Sequence, residues 1–167
     1  MANTYTAIAT VTVGSGGAAN IDFTSIPATY TDLVVKVSCR STAATDFVTL
    51  SLAFNTSTAN FTSRLVQGDG SSAVTATSTN FGGGAGGTST TASTFNNVEL
   101  YIPNYAGSTN KSYSSDSVVE NNATAARNTL IAGLWSQTAA ITGVTFSLSS
   151  GNFAEHSTAT LYGIKNS

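Results

Sequence analysis

Apolar and polar side chains alternate in steps of two along most of the chain, the period of a strand with one buried face. Leu33, Val35, Val37 and Cys39 alternate with Val34, Lys36, Ser38 and Arg40. Val48, Leu50, Leu52 and Phe54 repeat the pattern, as do Val98, Leu100 and Ile102, and again Val144, Phe146 and Leu148. Near the start, Tyr5, Ala7, Ala9, Val11 and Val13 alternate with Thr6, Ile8, Thr10 and Thr12. Val and Thr favour strands, and clusters such as Gly14-Ser15-Gly16-Gly17, Asn55-Thr56-Ser57 and Gly151-Asn152 punctuate the runs as turns. The pattern predicts about ten strands, near 5–13, 19–25, 32–41, 46–54, 60–67, 95–102, 112–120, 127–136, 141–148 and 157–165.

Short strands separated by regular turns predict an all-β fold, a sandwich or barrel. At 167 residues, one domain spanning 1–167 is expected. Roughly 8–10 strands in this length favour a jelly-roll-like antiparallel β-sandwich. The immunoglobulin alternative lacks its Cys–Trp–Cys pattern, since Cys39 is the only cysteine. The best helical candidate, 122–127, is short and lies between strands.

Two segments depart from the alternation. Residues 68–94 run through Gly68-Asp69-Gly70, a Ser/Thr-rich stretch and Gly82-Gly83-Gly84-Ala85-Gly86-Gly87. They read as one long Gly/Ser/Thr-rich loop, either a flexible surface excursion or a segment ordered by a neighbouring subunit. Leu130-Ile131-Ala132-Gly133-Leu134-Trp135 is apolar on both faces, which calls for a second layer or a partner behind the strand.

Charge narrows the setting. Only 8% of residues are charged, against about 25% in an ordinary soluble domain. Hydroxyls and amides must therefore cover the exterior, a surface suited to packing against copies of the same chain. The six Lys and Arg are scattered singly, so no basic patch forms for nucleic acid. Met1-Ala2-Asn3-Thr4-Tyr5 has no basic or apolar signal-peptide regions, and no run approaches the 18 or so apolar residues of a membrane span. An outward-looking surface without an export signal fits a virus particle, whose proteins fold in the host cytoplasm and then work outside.

Chemistry is sparse. His156 is the only histidine and falls in a turn, with no G-x-S-x-G elbow to accompany it. One His and one Cys cannot form a conventional zinc site, and Cys39 reads as a small core residue. Asp116 and Glu120 fall on one strand face but read as solvent-facing. Asp69 lacks the spacing of a calcium loop, and Gly82–Gly87 lacks the following Lys-Ser/Thr of a phosphate loop. Sequons at Asn55, Asn60, Asn110 and Asn122 occur at the frequency expected by chance. No catalytic residue, metal ligand or cofactor is expected. Trp135, Tyr101, Tyr105 and Tyr113 are candidates for contacts with sugar rings or a partner subunit. Tyr105 stands out because it follows Pro103-Asn104 in a turn.

Four stretches carry a family resemblance: Phe23-Thr24-Ser25-Ile26-Pro27-Ala28-Thr29-Tyr30-Thr31-Asp32-Leu33, Tyr101-Ile102-Pro103-Asn104-Tyr105-Ala106-Gly107, Leu134-Trp135 followed by Thr138-Ala139-Ala140-Ile141-Thr142, and the ending from Gly151-Asn152-Phe153-Ala154 through Thr160-Leu161-Tyr162-Gly163-Ile164-Lys165. Together they resemble small virion structural proteins of tailed bacteriophages, especially aquatic and cyanobacterial ones. The resemblance spans most of the chain and describes strands and turns rather than chemistry. It implies a β-sandwich that assembles on the particle, often as a homotrimer. The expected protein is thus a non-enzymatic virion component, a capsid decoration or cement protein whose partners are itself and major capsid or tail proteins. The alternative is a tail-fibre or spike tip that binds host-surface glycan.

Overall fold

The structure is a computed structural model that describes residues 4–122 and 126–165. Twelve strands form: β1 Tyr5–Thr12, β2 Asn20–Phe23, β3 Asp32–Cys39, β4 Val48–Phe54, β5 Phe61–Gly68, β6 Ala73–Ser78, β7 Phe81–Ala85, β8 Asn96–Ile102, β9 Lys111–Val119, β10 Arg127–Trp135, β11 Val144–Leu148 and β12 Thr158–Ile164. No helix occurs among the described residues, and 123–125 of the helical candidate 122–127 lie outside them. One sheet has eight strands in the order β1-β12-β3-β8-β9-β10-β5-β6; the other has four, β2-β11-β4-β7. Every strand pairing is antiparallel. The all-β sandwich follows the alternation. The eight-plus-four division differs from the two four-stranded sheets of an eight-stranded jelly roll.

The alternating apolar residues meet between the sheets. Leu33, Val35, Val37 and Cys39 of β3 face Leu50, Leu52 and Phe54 of β4 and Phe146 of β11 in one buried cluster. Burial removes the Cys39 thiol from water and pushes its pKa up to about 12. At one end Phe54, Phe61, Tyr113 and Trp135 pack edge-on and tilted, with ring centroids 5.1–6.2 Å apart. Such pairs add about 0.5–1.5 kcal/mol each beyond the area they bury.

The expected loop over 68–94 is corrected: it contains β6 and β7, which raises the strand total to twelve. β6, Ala-Val-Thr-Ala-Thr-Ser, has no buried face and so no alternation to read. β7, Phe-Gly-Gly-Gly-Ala, is buried at every position, in a sequence that weakens strands by composition. Its glycines let it lie close to its neighbours, Gly82 to β4 in the same sheet and Gly83 to β8 and β9 in the other. A Cβ on Gly82 would lie 2.7 Å from Leu52 Cγ, and one on Gly83 3.0 Å from Ser117 Cβ. Gly83 also has φ +143°, which side-chain-bearing residues rarely adopt. With the backbone this close, β9 side chains bond it directly: Ser115 Oγ donates to Gly82 O at 2.7 Å and Tyr113 OH to Phe81 O at 3.2 Å.

The stretch after β7 is held by a buried arginine. Arg40 Nη1 donates to Thr90 Oγ1 (3.0 Å), Thr91 O (2.8 Å) and Thr94 O (2.9 Å). Asn96 Oδ1 accepts from Gly86 N at 2.5 Å. These bonds satisfy backbone groups that a loop tucked against the core would otherwise leave dry.

The sheet edges differ. β1 is interrupted by a bulge between Ala7 and Ala9, and β2 has four residues. β7 is buried. β6 is exposed, regular in its pairing with β5, and free of charge and proline. Only β6 lacks the usual devices that blunt an edge.

Candidate functional site

The outer face of the eight-stranded sheet carries the side chains that the alternation turns away from the core. Register lines them into rows. One row crosses every strand: Thr75 beside Val66, then Leu130, Asp116, Glu99, Lys36, Thr160 and Thr10. The next runs from Thr77 through Arg64, Ala132, Ser114 and Tyr101 to Val34. Across β5, β6, β8, β9 and β10 this face forms a groove of about 870 Å³. That lies within the few hundred to a thousand cubic ångströms of small-ligand sites.

The groove is amphipathic. Leu130 of β10 is 58% exposed and Val66 of β5 53%, so its floor presents aliphatic surface to solvent. Polar groups stand around them. Glu99 binds Lys36 Nζ at 2.7 Å, which raises the Lys36 pKa first through that hydrogen bond and then through the charge of Glu99. Asp116, opposite Glu99 in the register, has no hydrogen bond or ion pair to any described residue. Among the described residues Arg64 makes one bond, from Nη1 to the carbonyl of its neighbour Ser63 at 3.1 Å, and no ion pair. Tyr101 stands half-buried on the β8 side. Its hydroxyl donates to Asp32 Oδ2 at 2.9 Å; desolvation, then Asp32, pushes its pKa up. Asp32 Oδ1 also accepts from Asn104 N at 2.8 Å, so the Tyr101 ring is fixed from behind.

Of the aromatic candidates, only Tyr101 reaches this surface. Tyr105 is corrected to a core residue: it is fully buried, donating its hydroxyl to Pro27 O and accepting from Tyr30 N at 3.4 Å. The Pro-Asn turn points the ring inward to lock the segment before β3. Trp135 and Tyr113 are likewise corrected; both lie in the aromatic cluster between the sheets. Burial pushes the Tyr113 pKa up to about 12. The two-sided apolar strand β10 therefore divides its work, with Ile131 and Trp135 inward and Leu130 and Leu134 outward.

The remaining polar candidates stay apart. His156 is an exposed turn residue at φ 72° whose backbone N bonds Val13 O. Asp69 accepts from Ser71 N and Ser72 N at 2.9 and 2.7 Å in a tight turn, which holds its carboxyl well below the usual range. Glu120 accepts from Asn122 N at 2.6 Å rather than joining Asp116. No group of three or more His, Cys, Asp or Glu gathers among the described residues. Reading the sequence missed Arg64, Glu99 and Leu130 as site residues. The outward phase of β5, β8 and β10 was visible, but which strands lie side by side was not.

Comparison with family models, with curated proteins and with solved structures returns no match for this chain.

Proposed function

We propose that this chain is a non-enzymatic bacteriophage virion protein that assembles as a homotrimer on the particle surface, in the manner of a capsid decoration or cement protein. The observation that carries the reading is the uncharged, unbulged edge of β6. An exposed edge of this kind is a template for pairing with another chain, and a protein that works alone blunts it. A chain with 8% charged residues also has little repulsion to keep copies apart. The β6 edge pairs head to tail with a different edge of the next copy, so that three such contacts close a ring, and the Ser- and Thr-rich exterior packs against capsid or tail proteins. Such a protein binds the assembled shell and not its free parts, and stabilises the shell by mass action.

Quantitative mass spectrometry of intact particles produced with this chain tests the position. Many copies per particle are expected, with heads that release DNA at lower temperature when the chain is missing. A handful of copies per particle would put the chain on the tail instead.

A further inference from the structure

We propose that the groove on the outer face of the eight-stranded sheet binds a neutral oligosaccharide. Its composition selects the ligand class. Leu130 and Ala132 form an aliphatic floor, and Tyr101 adds one face of a ring whose hydroxyl is already committed to Asp32. Sugar rings present C–H faces that pack on such surfaces. Around the floor stand a free carboxylate, Asp116, a guanidinium without an ion partner, Arg64, and the amide of Asn97. Vicinal hydroxyls both donate and accept, so they satisfy all three groups at once. Charge narrows the class further. Glu99 is neutralised by Lys36 at 2.7 Å, and Arg64 offsets Asp116. The groove thus has no net field to hold a polyanion or a polycation. A strand from another protein is disfavoured on the floor itself, because β5, β8, β9 and β10 are each paired on both sides and offer it only side chains, while the free main-chain edge of β6 lies at the rim.

The site uses the face of the sheet, while the assembly proposed above uses the edge of β6, so the two fail separately. Binding is measured with an array of neutral oligosaccharides, with sialylated glycans and heparin included, followed by calorimetry on any sugar retained. The wild type is expected to retain at least one neutral oligosaccharide. Asp116→Ala and Arg64→Ala are both exposed changes, and each is expected to weaken it by about tenfold or more. Val74→Lys, on the opposite face of the edge strand, is expected to leave the affinity unchanged. Retention of no neutral sugar, preference for heparin, or affinity unchanged in both groove variants would overturn the proposal.

Discussion

β6 and β7 are neighbours in one Gly/Ser/Thr-rich stretch, joined through Thr79-Asn80, yet they occupy opposite environments. β6 is exposed along an edge of the eight-stranded sheet; β7 is buried at every position in the four-stranded one. The same lack of charge and prevalence of small side chains serves different ends. In β7 it lets the backbone approach β9 closely enough for Ser115 and Tyr113 to bond its carbonyls. In β6 it leaves an edge that nothing repels. Small residues thus set how close two elements can come, and burial decides whether that closeness is used inside the core or left open at an edge.

The sharpest way to break the comparison is to give β7 a side chain. Gly83→Val forces a β-branched residue to φ +143° and drives its Cβ against Ser117 and Val98. Backbone strain and overpacking together are expected to cost about 3 kcal/mol or more, read as a loss of urea midpoint. A similar loss, about 3–5 kcal/mol, is expected for Trp135→Ala, because the ring fills the aromatic cluster at one end of the core. An interface role for Trp135 would instead leave the protomer folded.

A smaller effect tests the bond between β9 and β7. Tyr113→Phe removes the donor to Phe81 O and is expected to cost about 1 kcal/mol. The same residue sets a pH dependence. Burial raises the folded-state pKa of Tyr113 from 10.0 to about 12 and that of Cys39 from 9.0 to about 12. The folded state then holds protons that the unfolded chain has released. Stability is complete below about pH 9 and falls as pH rises toward 12. Chemical denaturation from pH 7 to 11 checks this, and Cys39→Ala should remove the part of the slope that begins near pH 9.

β6 should show the smallest change in stability. Val74 and Ala76 are exposed, so Val74→Lys with Ala76→Lys is expected to alter protomer stability by no more than about 0.5 kcal/mol. The pair should nonetheless abolish assembly, because inward-pointing charges block edge pairing.

What the sequence made legible follows from the physics of each element. The alternation in β3, β4, β8 and β11 gave both strand type and core face, since each has one buried side. β6 and β7 escaped because neither has two different faces: one is wet on both, the other dry on both. Tyr105 looked available because it follows a Pro-Asn turn, but its partners, Pro27 O and Tyr30 N, lie far away in sequence. The groove was illegible for a related reason. Asp116 read as an ordinary solvent-facing residue and Leu130 as part of a strand apolar on both faces, and only the pairing of β9, β10 and β5 brings them and Arg64 to one surface.

The claim that β6 is an assembly edge is tested most directly by the solution mass of two proteins, the wild type and the Val74→Lys, Ala76→Lys variant. Multi-angle light scattering at micromolar concentration should give three protomer masses for the wild type and one for the variant, with identical melting curves for the separated protomers. A wild type that scatters as a single protomer, or a variant that remains trimeric, would contradict it.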